Sequence, residues 1–448
     1  MALQLNGSGT ITGLAEGGIE DAKIIEADIK DKAVAVSKLK DGTDGELITW
    51  NASGVAETVA VGASGHYLKS NGDGAKPSFA AVSSPLSFRN LIINGACMVA
   101  QRGTTQATHT AAGYFTVDRF LTSIDGEDEG RTEDQITLTS SDTGPWEKGF
   151  TKAFQITNGD QSSAVGTDDY QYIVYKVEGQ DLANSGWHAT STSSYITLSF
   201  WVKSSVAQTF YGYVRSRGGT NKYYSFNTGA ISANTWTKVT KTIPGHADIT
   251  INNDTNDGFQ LVLYQFAGTT YTDVISENTW LTWSSGAGTV DQTSTWWETD
   301  NATFAITGLQ LEVGDTATEF EHRSYADELL RCQRYYLVWA DAPNAGEDEP
   351  IGSAWYNGDS YSFLTDCRFP VEMRDHPSVV SKNATNAFRV YGAGVGGAHF
   401  DQINFTEQIT TRIARVGGSS VSLDTDNAGV GMRAMASGGG YLHFNAEL

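Results

Sequence analysis

Cysteine is scarce in this chain: Cys97, Cys332 and Cys367 are its only thiols, odd in number and far apart. That argues against a disulfide framework and against a cysteine-rich metal site, and three buried free thiols are expected instead. Basic residues are the second shortage. The sequence sets 30 Lys and Arg against 52 Asp and Glu, a formal charge of -22, which opposes binding to nucleic-acid phosphates or to an anionic bilayer. Nucleic acid is therefore not an expected partner. No apolar run approaches the length that crosses a bilayer, so membrane insertion is not expected. The opening Met1-Ala2-Leu3-Gln4-Leu5-Asn6 lacks the basic start and apolar stretch of a secretion signal. The eight histidines are scattered, with no pair at metal-ligand spacing, and zinc is not implied.

What remains points to β structure. The chain holds 48 Gly and only 5 Met, with 11% aromatic and 18% charged residues, a profile of ordered strands and turns rather than of helices or disorder. At 448 residues it exceeds what one hydrophobic core supports, so two or three units are expected.

Near the N-terminus, apolar residues recur at Ile19, Ile24, Ile29, Val34 and Leu39, each five positions after the last. That period fits neither a helix face nor a strand face. One such repeat cannot bury its own apolar residue, so the series calls for stacked neighbours or identical chains about an axis, and a trimeric shaft satisfies it. A single irregular amphipathic helix over residues 25–40 is the competing reading. From 45 to 83 the chain turns to Gly, Ala, Ser and Val with short apolar runs such as Leu47-Ile48-Thr49-Trp50 and Tyr67-Leu68. Asn-Gly and Asp-Gly pairs divide them into short strands and tight turns. The stretch over 44–50, with Gly65-His66-Tyr67-Leu68-Lys69-Ser70 after it, resembles shaft segments of bacteriophage tail fibre proteins.

Between residues 85 and 323, alternating runs are separated by Gly-, Asn- and Asp-rich turns. Examples are Tyr170-Gln171-Tyr172-Ile173-Val174-Tyr175-Lys176-Val177, Tyr195-Ile196-Thr197-Leu198-Ser199-Phe200-Trp201-Val202 and Phe259-Gln260-Leu261-Val262-Leu263-Tyr264. So many short alternating runs predict two packed antiparallel sheets. The opening Asn90-Leu91-Ile92-Ile93-Asn94-Gly95, the run Ser199-Phe200-Trp201-Val202-Lys203 and the closing Ala305-Ile306-Thr307-Gly308-Leu309-Gln310-Leu311-Glu312 resemble the carbohydrate-binding-module-like jelly roll of phage tail fibre and tail spike proteins. The junction that follows, Thr318-Glu319-Phe320-Glu321-His322-Arg323-Ser324-Tyr325 and then Arg331-Cys332-Gln333-Arg334-Tyr335-Tyr336, carries the same resemblance.

That junction, 324–337, is also the clearest short helix. Ser324 caps it with Asp327 three residues on, and Tyr325, Leu329, Cys332 and Tyr336 share a face. Beyond it, 338–448 returns to aromatic strands among glycine-rich turns, ending in the alternating Tyr441-Leu442-His443-Phe444. A small C-terminal β tip domain is predicted.

Chemistry is sparse. Acidic groups at 125–129, 254–257 and 424–427 fall between strands, where Asp and Asn close turns. Asp125 and Asp128 are a calcium candidate, although the acidic residue that closes a calcium loop is not evident. Gly392 to Gly397 imitates a phosphate loop without a following helix and is read as a turn. Exposed aromatics are the stronger candidates, because sugar rings stack on Trp and Tyr while Asp and Asn take hydroxyls. Trp283, Trp296 and Trp297 form one cluster with Trp280; Trp355, Tyr356 and Tyr361 flank Asp359 in another. Core packing competes for any single tryptophan. Adjacent strand residues point to opposite faces, so one of Trp296 and Trp297 is expected to leave the core or to meet another chain.

The expected architecture is all-β: an extended trimeric shaft over 19–84, a jelly-roll sandwich, and a C-terminal tip. The resemblance implies a non-enzymatic tail fibre protein of the virion, assembled in the host cytoplasm. Residues 1–18 would attach to a tail or adaptor protein, and distal β domains would bind a host-cell surface glycan. No cofactor is expected. A polysaccharide-depolymerising spike and a head fibre or decoration protein are the alternatives.

Overall fold

The computed structural model describes residues 42–64, 66–80, 89–161, 163–283, 288–342, 346–356, 361–392, 395–419 and 430–448. Ile19, Ile24, Ile29, Val34 and Leu39 lie outside the described residues. The chain divides into two compact units, Met1–Val82 and Ser83–Leu448.

Among its described residues the first unit carries two antiparallel hairpins. Strand β1 (Leu47–Trp50) pairs with β2 (Ala56–Val59), and β3 (Tyr67–Lys69) with β4 (Ser78–Ala80). Asn51 closes the first turn by accepting from the Ser53 and Val55 N–H groups, and Gly54 follows in the left-handed region at φ 72°. Among its described residues Val59 is buried, whereas Ile48, Val55 and Leu68 are exposed and Trp50 keeps 67% of its surface in water.

The second unit opens with a β-sandwich. Its strands are β5 (Thr105–His109), β6 (Phe120–Asp125), β7 (Arg131–Thr137), β8 (Lys152–Thr157), β9 (Tyr170–Glu178), β10 (Tyr195–Ser204), β11 (Gln208–Ser216), β12 (Lys222–Ile231), β13 (Thr237–Pro244), β14 (Asp257–Ala267), β15 (Trp280–Thr282) and β16 (Thr303–Val313), with one helical turn, α1 (Gly179–Ala183), after β9. They form two six-stranded antiparallel sheets, in the orders β13-β10-β16-β8-β7-β5 and β15-β12-β11-β14-β9-β6. Alternation decides which side chains meet between them. Ile173, Tyr175 and Val177 of β9, Leu261 and Leu263 of β14, and Leu198, Phe200 and Val202 of β10 are buried in one apolar cluster. The all-β sandwich read from the sequence is thus the observed architecture.

Helix α2 (Tyr325–Gln333) follows. The Ser324 hydroxyl accepts from the Asp327 N–H at 3.2 Å and donates to its carboxylate at 2.7 Å, which satisfies one orphan donor of the first turn. The expected apolar face is shorter than the spacing implied. Leu329 and Cys332 pack with Ile93, Val99 and Tyr335, but Tyr325 is exposed. Tyr336 already belongs to the next strand, because the helix stops at Gln333.

The remaining strands are β17 (Tyr336–Asp341), β18 (Glu349–Tyr356), β19 (Tyr361–Arg368), β20 (Ser378–Ser381), β21 (Phe388–Gly392), β22 (Val395–Phe400), β23 (Phe405–Glu407), β24 (Ile413–Ser419), β25 (Val430–Ala434) and β26 (Tyr441–Asn445). They form a three-stranded sheet, β17-β26-β20, and a seven-stranded one, β22-β21-β25-β18-β19-β24-β23, around a second apolar cluster that includes Phe388, Met432 and Phe444. Strand β26 is the middle of its sheet, so the final alternating segment is paired on both edges. All three cysteines are buried free thiols, and burial pushes those of Cys97 and Cys367 up to about 12.

Sandwich and tip are joined by a polar clasp. Arg334 forms a two-pronged pair with Glu178 at 2.8 and 2.9 Å, and Arg374 donates to the carbonyls of Thr255, Ala446 and Glu447. Glu447 receives both Arg119 and Arg102, and these two guanidinium groups stack on Tyr335 and Tyr336 at 3.4 and 3.5 Å.

Candidate functional site

The two faces of the sheet β15-β12-β11-β14-β9-β6 carry different chemistry. One lies in the main core; the other carries cross-strand rows of side chains beneath a groove of about 480 Å³, and Val174, Tyr213, Val262 and Tyr264 of those rows are buried in a second apolar cluster. Register builds these rows. Tyr172 of β9 pairs with Tyr264 of β14; one step along, Val174 pairs with Val262 and Val262 with Tyr213; next, Lys176 pairs with Gln260 and Gln260 with Arg215. Tyr271 and Trp283, from the segments beyond β14 and β15, complete the lining.

The rings hold one another in place. Tyr170 and Tyr172 stack at 5.0 Å, and Tyr271 meets Tyr170 edge-on at 5.1 Å. Trp283 contacts Tyr213 at 5.2 Å and Tyr223 at 5.4 Å. Burial pushes the phenols of Tyr172, Tyr213 and Tyr264 above their ordinary value, so these groups act as neutral donors and acceptors at physiological pH. Burial lowers Arg215 and Lys176, and the neighbouring Arg217 lowers Arg215 further. A preorganised aromatic floor with a few polar groups at its edge suits a ligand that has both an apolar face and hydroxyls.

Of the residues singled out in the sequence, Trp283 lies in this groove. Trp296 and Trp297 do not, and they keep only 0% and 1% of their surface exposed. One of them, Trp297, does leave the main sandwich core as expected, but it stays inside the protein, so the reading of Trp296 and Trp297 as exposed sugar-stacking candidates is corrected here. They sit in a turn rather than on a strand, so the chain folds both indoles inward. Trp296 enters the main core, while Trp297 enters a separate pocket against Phe266 and Ile124. Trp280 is likewise core, with its indole N–H donating to the Pro244 carbonyl at 2.6 Å. Trp355 is 39% exposed beside the Arg415 guanidinium at 5.1 Å. Tyr356 ends β18 and Tyr361 begins β19; their side chains, and Asp359, lie outside the described set. The acidic pair is engaged locally, with Asp125 accepting from the Gly126 N–H and Asp128 from the Ser163 hydroxyl at 2.8 Å. Among the described residues no three His, Cys, Asp or Glu side chains converge as metal ligands would.

Tyr170, Tyr172, Tyr213, Tyr264 and Tyr271 were not singled out from sequence. The signal was present in the run over 170–177, whose even positions place two tyrosines and a lysine opposite the core face.

Neither a known protein family nor a curated protein matches this sequence. Solved structures do. An enzymatically active domain of tailspike protein 4 from bacteriophage CBA120 matches at TM-score 0.24 and 10% identity, over 50% of this chain and 21% of that one. The N-terminal cellulose-binding domain of a Cellulomonas fimi β-1,4-glucanase matches at TM-score 0.22 and 13% identity, over 38% and 82%. A family 11 carbohydrate-binding module from a Clostridium thermocellum cellulase matches at TM-score 0.21 and 12% identity, over 49% and 98%. The structural neighbours thus include a phage tailspike domain and carbohydrate-binding modules. At such TM-scores the likeness fixes neither family nor function for this chain.

Proposed function

We propose that this protein is a bacteriophage tail fibre subunit whose sandwich groove binds a host-surface glycan without cleaving it. The observation that carries the reading is the groove, where the half-buried rings of Tyr170, Tyr172 and Trp283 border the opening above the buried Tyr213 and Tyr264. The CH faces of pyranose rings pack on such aromatics, while lysine, arginine and glutamine at the edge take hydroxyls. Hydrolysis by two carboxylates needs an acid and a base on opposite sides of the scissile bond. The described groove lining contains neither Asp nor Glu, which favours binding over cleavage.

The test is titration of the full-length chain with host-surface polysaccharides, beside an assay for new reducing ends. Trp283→Ala and Tyr172→Ala are each expected to weaken binding about 30-fold, from the loss of roughly 2 kcal/mol of stacking. Full-strength binding by both variants would remove the groove from the proposal. Release of reducing ends would replace the fibre with a depolymerising spike.

The fibre part of the proposal rests on the tail-fibre resemblance of residues 44–70 and on the apolar surface of the first unit. Ile48, Trp50, Val55 and Leu68 stay exposed in a single chain, and association of identical units would cover them. Residues 1–18 are proposed to attach to the tail. Light scattering is expected to give three times the chain mass for the full protein and a lower mass for a version lacking residues 1–83. A monomer in both forms would end the trimer proposal.

A further inference from the structure

The charge of the groove runs against that of the chain. Acidic residues outnumber basic ones 52 to 30, yet the described groove lining holds Lys176 and Arg215 and no carboxylate. Both cations belong to one cross-strand row, Lys176-Gln260-Arg215, at the end of the groove away from Tyr170 and Tyr172. A ligand lying along the strands therefore meets phenols at one end and positive charge at the other.

Arg215 is the more telling of the two. Its neighbour Arg217 is paired with Asp257 at 3.2 Å, and Lys176 donates to the Leu448 carbonyl at 2.5 Å. Arg215 has no carboxylate within ion-pair distance among the described residues. Its guanidinium lies 3.9 Å from the centre of the Trp283 ring. With the Asn221 amide turned to donate to the Ser216 carbonyl, that side chain accepts from Arg215 Nη2 at 2.9 Å. The Arg215 Nε is buried and makes no hydrogen bond. A guanidinium stacked on an indole has its plane set in advance, and its in-plane N–H groups suit the two oxygens of a carboxylate. Half-burial is the main cause that lowers Arg215, with Arg217 adding to it and Tyr213 and Asp257 opposing it, and an anion bound at the free face of the guanidinium would offset that lost solvation.

We propose that the groove selects a carboxylated sugar, a hexuronic acid within a polysaccharide. Its carboxylate pairs with Arg215, and the pyranose rings lie on the tyrosines. This rests on the glycan-binding reading above and narrows it. A uronate carries its charge on the pyranose ring itself. The Arg215 guanidinium lies beside the half-buried Trp283 ring that borders the groove, so one sugar unit reaches both the cation and an aromatic edge.

The experiment titrates the full chain with polygalacturonate, alginate and hyaluronan, and with the carboxyl-reduced form of each, at low and high salt. At least one acidic polymer is expected to bind about tenfold tighter than its reduced counterpart, with the preference shrinking as salt rises. Arg215→Gln is expected to erase the preference while leaving residual binding to the reduced polymer. Equal binding of an acidic polymer and its reduced form, binding of reduced polymers alone, or an unchanged preference in Arg215→Gln overturns the uronate proposal and leaves glycan binding standing. If no polymer binds, acidic or reduced, the uronate proposal falls, and the titration with host-surface polysaccharides decides the glycan-binding reading separately. The acid-against-reduced comparison on the unaltered protein needs no variant, so a poorly folded Arg215→Gln does not cloud the result.

Discussion

Replacing Glu447 by alanine is expected to destabilise the second unit by about 3–5 kcal/mol, the cost of leaving a buried charge without its partner. Glu447 accepts from Arg119 and pairs with Arg102 at 3.3 Å. Arg119 is only 1% exposed, and it occupies the left-handed region at φ 76°, a conformation that surrounding contacts must hold for a residue with a side chain. After the substitution Arg102 still faces Asp118 at 3.8 Å. Arg119 keeps the Lys176 carbonyl at 2.8 Å and the rings of Tyr335 and Tyr175, but no carboxylate within ion-pair distance among the described residues. Because Arg119 precedes β6 and Glu447 follows β26, the loss falls on the seam between sandwich and tip, and urea unfolding is expected to separate into two transitions. Glu447→Gln, which retains a hydrogen-bond acceptor, is expected to cost less. The double change Arg119→Met with Glu447→Leu is expected to cost less than Glu447→Ala alone, since no charge is then stranded. A single unfolding transition at the wild-type midpoint for Glu447→Ala would show that the clasp does not hold the two parts together.

None of that clasp was legible in the sequence, and the reason is physical. Arg119 and Glu447 lie 328 positions apart, and pairing at such a distance follows from topology, which local pattern does not specify. What local pattern does specify came through. Period-two alternation marked the long strands of the sandwich, and the Ser324 cap marked the start of α2. The same alternation also encoded the groove. In the run over 170–177, Ile173, Tyr175 and Val177 are core while Tyr170, Tyr172 and Lys176 line the open face. Knowing that one face is core does not reveal that the other, when aromatic, is concave. The curvature and the arrival of Tyr271 and Trp283 come from segments outside the strand.

Trp296→Ala is expected to lower the melting temperature by about 10 °C, with glycan binding lost only as far as the fold is lost. The indole has no exposed surface and sits in the main core of the sandwich. Its N–H donates to the Thr303 carbonyl at 3.1 Å, and its backbone N–H donates to the Gln208 side chain at 3.0 Å. Truncating such a side chain removes its burial and leaves a cavity, a combined cost of about 3–5 kcal/mol. In a domain of this size each kcal/mol moves the transition by roughly 2–4 °C. Trp283→Ala is the contrasting case, since its ring borders the open groove: a small shift in melting temperature and a large loss of binding. Differential scanning calorimetry beside polysaccharide titration separates the two. If Trp296→Ala kept its melting temperature and lost binding, the indole would belong to a binding surface and the buried assignment would be wrong. The opposite pairing makes Trp296 a structural residue and Trp283 a ligand-facing one, although the sequence presents both as tryptophans in the same polar stretch.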